Sequence, residues 1–357
     1  MHIGSRRISA SDPVYIIAEL GVNHDGSIDR ALELVDAAAD SGADAIKMQI
    51  FRAGLLMSRA SRLAAYQQAA GETDPADMLR RLELPDDDMQ RIIERAHARG
   101  IHAIATVFSL ELVERASRQP WDAFKTASPD IIHRPLLTAL AAAGKPLIVS
   151  TGASTMSEVH RAAEWLAPAR DRIAFLQCVS SYPARDEDAA VGAIASLMQD
   201  LQLPIGYSDH TRGESTGALA VRCGACILEK HLTYSRDAKG PDHAASLEPR
   251  GFREYTRRAR HAWTDRAETI QLSAAERAMM GNTGKRVQDC EQDVRRVSRQ
   301  SIVAARRIKQ GERFTTDMLT YKRPGTGIEP WRAGELLARS AARDIEADTP
   351  INDGDLR

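Results

Sequence analysis

The 357-residue sequence predicts a mixed α/β fold, a closed (β/α)8 barrel followed by a small C-terminal unit. Three observations lead there: eight short apolar runs separated by amphipathic stretches, polar residues recurring where those runs end, and a change of pattern after Ser298. The candidate strands are residues 15–19, 45–50, 102–107, 123–127, 146–150, 173–178, 204–208 and 226–231. Helical patterns lie between them, at 29–41 (closed by Gly42), 86–99 (closed by Gly100), 154–166 and 215–222. Asp86 and Ser154 are candidate N-caps, and the two glycines suit the left-handed position just past a helix end. Apolar runs alternating with 3.6-period stretches mark parallel strands joined by helices. Eight such units in about 265 residues match the size of a TIM barrel, about 250 residues. An open doubly wound sheet is the alternative; it favours a glycine-rich loop after the first strand, where this sequence reads ELGVNHDG.

Residues 1–280 are assigned to the barrel, 281–297 to a polar linker and 298–357 to the C-terminal unit, whose short strands and turns repeat nothing internally. A long, mixed stretch at 55–84, holding Tyr66, Gln67, Gly71 and Pro75, follows the second strand, where barrels place substrate contacts or inert insertions. With 48 Lys and Arg against 49 Asp and Glu the formal charge is −1, so no global field would gather nucleic acid or an anionic membrane surface. The apolar run at 14–18 is too short for a signal segment or a span, and a cytoplasmic location is expected. Four cysteines (178, 223, 226 and 290) do not make a disulfide framework. Cys223 and Cys226 form a CxxC pair without a second Cys/His pair at zinc spacing, and are expected to be ordinary thiols.

Barrel active sites lie at the C-terminal strand ends. Polar residues recur there: Glu19, Lys47, Gln49, Thr106, Lys125, Ser150, Gln177, Ser208, Lys230 and His231. Singly, each has a structural reading. Two lysines at equivalent strand ends, however, imply a shared anion, because a strand buried on both faces excludes an unpaired ammonium. Ser128, Ser150 and Ser208 would complete a phosphate-type cradle. His210 follows the seventh strand and His231 ends the eighth, with Asp242 and His243 on the loop beyond. Two converging imidazoles near a carboxylate suit a divalent cation, Mn²⁺, Mg²⁺ or Co²⁺. Glu19 is the natural carboxylate for proton transfer, or else a structural partner of Lys47.

With these residues in place, the sequence resembles the sialic acid synthase family along essentially its whole length. The matching stretches are IIAELGVNHDGS, GADAIKMQIF, PLLTALAAAGKPLIVSTGA, SSYPA, PIGYSDHT, EKHLTYSRDAKGPDHAASLEP, SIVAARRIKQGERFT and KRPGTGI, the last two similar to the antifreeze-like (SAF) domain of those enzymes. The resemblance implies that Lys47, Lys125, Ser128, Ser150 and Ser208 bind phosphoenolpyruvate and that His210 and His231 hold a metal, Mn²⁺ first. It places Glu19, Tyr182 and Asp242 around the substrates as catalytic groups, with Gln49, Asp130 and Arg323 toward the sugar. In the family, C3 of phosphoenolpyruvate attacks the aldehyde carbon of an open-chain N-acetylated amino sugar, water adds at C2 and phosphate leaves by C–O cleavage. A homodimer is also implied, in which the C-terminal unit of one chain covers the barrel mouth of the other.

Val107, Pro129, His133 and Arg134 depart from the family's usual residues. N-acetylneuraminate synthesis from N-acetylmannosamine is the leading expectation, with N,N′-diacetyllegionaminate synthesis from a 6-deoxy-2,4-diacetamido sugar as the alternative and a pseudaminate-type activity behind both. Outside the family, a Schiff-base aldolase using Lys47 or Lys125 and a non-catalytic sugar-binding protein are the competing readings.

Overall fold

The computed structural model describes residues 1–266 and 271–357. A short hairpin, β1 (His2–Ile3) with β2 (Arg6–Arg7), precedes eight parallel strands. These are β3 (Tyr15–Gly21), β4 (Ala45–Ile50), β5 (His102–Val107), β6 (Ala123–Thr126), β7 (Leu147–Ser150), β8 (Ile173–Cys178), β9 (Ile205–Asp209) and β10 (Ile227–His231). Pairing of β10 with β3 closes the barrel. The expected strands are all present, with ends moved by one or two residues.

Helix ends differ from expectation in two places. Pro85, not Asp86, is the N-cap of the helix Asp86–Ala98; Asp86, Asp87 and Asp88 instead fill its first turn, where carboxylates meet the positive end of the helix dipole. Thr155, not Ser154, caps the helix Met156–Trp165, because Thr155 and Glu158 form a reciprocal capping box. Gly42 and Gly100 do take left-handed φ, +82° and +72°.

Side chains alternate across each strand, and the alternation builds two layers. Ile16, Ala18, Ile46, Phe124, Val149 and Leu228 point outward into the core shared with the helices. Tyr15, Ile17, Ala45, Ile104, Ala123, Ile148, Ala174, Leu176 and Ile227 point inward and fill the lower barrel, closed from beneath by Ile3 and Ile8 of the hairpin region. Two residues further along each strand the inward position becomes polar.

The stretch after β4 is ordered into three short helices (Ala53–Leu56, Ala65–Ala69, Pro75–Leu82); the first and third join Val22, Phe51 and Phe108 in an apolar cluster beside the mouth, while Tyr66 of the second packs with Val294 and Val297. The stretch expected to be a linker also carries structure: a 3-10 turn at Asp289–Glu291 runs into the helix Gln292–Ser298. Beyond it, β11 (Ser301–Ala304) and β12 (Leu319–Lys322) pair antiparallel over a separate small core that includes Ile302, Ile308, Phe314 and Leu336.

This C-terminal unit sits on its own barrel. Ser58 and Ser61 donate from Oγ to the Arg323 carbonyl (2.6 and 2.8 Å), and Gln300 Nε2 donates to Phe108 O (2.8 Å) and to Asp130 Oδ1 (3.0 Å). Glu158 accepts paired hydrogen bonds from both Arg295 and Arg299 at 2.7–3.0 Å. Within the single chain, these contacts hold the C-terminal unit over the barrel top. Among the described residues, no helix is long and apolar enough to cross a membrane.

Candidate active site

The upper layer of the barrel interior follows from the same alternation. Counting two residues on from the apolar layer leads to Glu19 on β3, Lys47 on β4, Thr106 on β5, Lys125 on β6, Ser150 on β7, Cys178 on β8 and Glu229 on β10. All line one cavity together with Ser208 of β9, which is level with Glu229 and Cys178, and with Gln49, His210 and His231, two residues further along the chain from Lys47, Ser208 and Glu229. Gln177 and Lys230, expected at the site from their strand-end positions, have the opposite parity and point out of the barrel. Gln177 donates to Ala190 O (3.2 Å), and Lys230 pairs with Asp209 (3.2 Å).

Glu229 organises the layer, and it was not among the expected site residues. Its Oε2 lies 2.9 Å from Lys47 Nζ and its Oε1 3.2 Å from Lys125 Nζ, while Ser208 Oγ donates to Oε1 (2.9 Å). Lys47 also pairs with Glu19 (3.1 Å), to which Gln49 donates (2.9 Å), and Lys125 donates to Ser150 Oγ (2.7 Å). Burial alone would push the Glu229 carboxyl up, but Lys125 and Lys47 outweigh it and hold the group far below the usual range. Burial also lowers Lys47, and Glu19 and Glu229 reverse this, keeping it an ammonium. Glu19 is raised by burial, with Lys47 opposing. Burial lowers Lys125, with Glu229 opposing, so two lysines and two carboxyl groups, all buried, form one linked charge group at the base of the cavity.

Ser128 Oγ accepts from Gly152 N (2.9 Å) beside this group. A Cβ at Gly152 would lie 2.2 Å from Ser180 Oγ and 2.7 Å from Ser128 Oγ, so only glycine fits. Thr106 Oγ1 and Ser180 Oγ are buried without a partner, and both residues line the cavity. A lost hydrogen bond of this kind costs about 1–3 kcal/mol, which a bound oxyanion would recover.

The two histidines adjoin the cradle. Their ring centroids are 5.6 Å apart; Tyr182 packs tilted against His210 at 4.2 Å, and Tyr66 from the stretch after β4 packs tilted against Tyr182 at 5.0 Å. His210 Nδ1 donates to Val179 O (2.7 Å), which leaves Nε2 as its lone-pair nitrogen. His231 is held well below its ordinary value by burial and then by His210 and Lys47, so its ring is neutral, and its Nδ1 is buried without a hydrogen-bond partner. Asp242 approaches that nitrogen at 3.8 Å, and burial raises its carboxyl to about 7. A neutral His231 ring with an orphaned nitrogen, facing the Nε2 that His210 leaves unused, fits a borderline divalent cation. Among the described residues no group of three or more His, Cys, Asp or Glu side chains converges as a ready-made cage, so other positions around such an ion would be open to substrate.

Arg323, from the C-terminal unit, reaches the same cavity over the Phe108 ring (5.7 Å). Asp130 lies beside the cavity rather than in its lining, held by Gln300 and raised by burial to about 7. His133 is buried against Tyr321 of the C-terminal unit, away from the cavity lining, and serves the seam between the two units. Cys223 and Cys226 form no disulfide, as expected of ordinary thiols.

A cluster of buried lysines and serines facing an imidazole pair at the C-terminal end of a (β/α)8 barrel marks the class of barrel enzymes that act on an anionic substrate. Family comparison agrees and narrows it: residues 34–271 match the NeuB family and residues 299–357 the SAF domain, so the chain belongs to the NeuB family. It is a phosphoenolpyruvate-dependent nonulosonic acid synthase of the sialic, legionaminic and pseudaminic acid group. The chain is 37% identical to an uncharacterised protein of Methanocaldococcus jannaschii, over 99% of this chain and 98% of that one. It is 34% identical to the N,N′-diacetyllegionaminic acid synthase of Legionella pneumophila, over 98% and 96%. The crystal structure of the spore coat polysaccharide biosynthesis protein SpsE of Bacillus subtilis, 30% identical, superposes with a TM-score of 0.86 over 100% of this chain and 99% of that one.

Proposed function

We propose that the chain condenses phosphoenolpyruvate with an N-acetylated amino sugar at this cavity, with a divalent cation bound by His210 and His231. The observation that carries the proposal is that the Lys47–Glu229–Lys125 group and the imidazole pair line one cavity. Lys47 and Lys125, with Ser128, Ser150 and Ser208, would hold the phosphate and carboxylate of phosphoenolpyruvate and fix its C3 toward the sugar. The cation, Mn²⁺ first, would supply a Lewis acid for the aldehyde oxygen. Asp242, titrating near 7, is suited to give a proton to the oxygen that becomes a hydroxyl or to take one from the water adding at C2. Glu19 and Gln49 would hold sugar hydroxyls, Tyr182 would pack beside them, and Arg323 would reach the N-acetyl group. Asp130, covered by Gln300, would act on Arg323 rather than on the sugar.

N-acetylmannosamine, giving N-acetylneuraminate, is one candidate sugar. A specific observation favours the other, a 6-deoxy-2,4-diacetamido sugar giving N,N′-diacetyllegionaminate: the wall after β4 is apolar, made by Leu56, Met78, Leu79, Leu82, Phe51 and Phe108, and suits a methyl group better than a hydroxyl. The Legionella relative's name points the same way. Cytoplasmic action follows from the supply of phosphoenolpyruvate. A homodimer rests on the resemblance alone.

Phosphoenolpyruvate carrying ¹⁸O in the bridging position tests the reaction. The label is expected in the released phosphate, with the methyl-ended sugar turned over faster than N-acetylmannosamine. Label retained in the sugar product, or borohydride trapping of an adduct on Lys47 or Lys125, would overturn it in favour of P–O cleavage or of an aldolase.

A further inference from the structure

The segment between barrel and C-terminal unit is fastened to the phosphate end of the cavity by one carboxylate. Glu291 is fully buried, and its Oε1 accepts from the backbone N–H of Ala153 (2.5 Å) and of Ser180 (2.7 Å). Its Oε2 accepts from Gln288 N (2.8 Å), which closes the 3-10 turn that carries it. Ala153 lies three residues past Ser150 and Ser180 two past Cys178, so a single oxygen bridges the loops leaving β7 and β8. Ala153 takes a left-handed φ of +51°, which an alanine adopts only under constraint. The constraint is visible: Glu291 holds its N–H, while Arg295 and Arg299 donate to its carbonyl. Lys285 adds a second fastening, donating to Gln177 Oε1 (3.1 Å) and Cys178 O (3.3 Å).

The held loop is the one that shapes the cradle. Gly152, next to Ala153, donates to Ser128 Oγ, and Ser180 presents its unpartnered hydroxyl to the cavity. Glu291 itself does not line the cavity. We propose that Glu291 is a positioning residue for phosphoenolpyruvate: by tying the β7 and β8 loops together through their N–H groups, it sets the spacing of Ser150, Gly152, Ser128 and Ser180, and makes the cradle's shape depend on the docked C-terminal segment. This rests on the assignment of the cradle to phosphoenolpyruvate.

Wild-type turnover is measured first; if phosphoenolpyruvate is not consumed, the cradle assignment fails and Glu291 is not at issue. Full-length Glu291→Ala, Glu291→Asp and Glu291→Gln are then compared for KM of each substrate, kcat and Tm. Alanine removes both acceptors and aspartate draws them back, whereas the glutamine carbonyl oxygen still reaches the Ala153 and Ser180 N–H groups and gives up only the bond from Gln288 N, outside the cradle. Expected are a rise in the KM for phosphoenolpyruvate of about tenfold in Glu291→Ala or Glu291→Asp, the equivalent of about one hydrogen bond, a sugar KM changed less than about twofold, and near wild-type values in Glu291→Gln. If Glu291→Ala fails to fold, Glu291→Asp against Glu291→Gln carries the same comparison. Equal rises in both KM values, or an unchanged phosphoenolpyruvate KM with only Tm lowered, would overturn the proposal.

Discussion

The lower and upper halves of the barrel interior stand on the same strands and obey the same alternation, yet one is hydrocarbon and the other holds two ammonium groups and two carboxylates. The lower layer is a packing solution: Ile17, Ile104, Ile148 and Leu176 meet at the axis, and stability is all they can contribute. The upper layer is a poor packing solution. Buried ion pairs rarely improve on hydrocarbon of the same volume, so their presence two residues above a sound core marks a site kept for chemistry. The difference teaches that strand parity, more than strand position, separates site from scaffold: Lys230, at a strand end but facing outward, is structural, and Glu229 beside it is functional.

The comparison breaks most sharply at Glu229. Glu229→Ala leaves Lys47 and Lys125 facing each other across a buried space, and is expected to abolish turnover and cost about 3–5 kcal/mol in denaturant unfolding; stability and activity near wild type would show that the upper layer is mere packing. Ile104→Ala, one layer down, is expected to cost about 2–5 kcal/mol with both KM values nearly unchanged; a large selective KM effect would erase the distinction between layers.

The C-terminal cover sharpens it next. Arg323→Ala and His231→Ala chains are each expected to be inactive, and mixing them is expected to restore nothing, since Arg323 and His231 line one cavity of one chain. Recovered activity in the mixture would mean that the cover is exchanged between chains.

The smallest effect is an acid one. Glu158 is raised by burial but lowered further by Arg299 and Arg295, to a net value far below the ordinary carboxylate range. A depressed carboxyl contributes stability that is fully present above its unfolded pKa, about 4.5, and is lost as pH falls toward the folded value. Below about pH 4.5 the docked segment should therefore loosen, seen as rising hydrogen exchange at residues 289–300, and Glu158→Gln should remove that dependence; exchange there that ignores pH would sink the assignment.

Much of this was legible beforehand, and the reasons are local. Eight strands and the lysines, serines and histidines of the cavity are signalled by strand-length apolar runs and the polar residues at their ends, whereas Arg323 is reached only through the KRPG motif of the resemblance. Gln177 and Lys230 were misplaced, and Glu229 was overlooked, because parity was not carried from one end of each strand to the other. Ser154 reads as a cap from its residue type alone, and only the reciprocal bond between Thr155 and Glu158 gives that place to its neighbour. The docked linker was illegible: the bond from Ala153 to Glu291 spans 138 residues, and neither neighbourhood announces the other.

The most direct test of the central claim is inorganic phosphate released from phosphoenolpyruvate, with and without sugar, with Mn²⁺ and with EDTA, in wild type and His231→Ala. Release that requires sugar and is lost with EDTA or with the substitution is the predicted result. Release that ignores both treatments would contradict the metal site, and no release with either N-acetylated sugar would contradict the assignment of the upper layer to this chemistry.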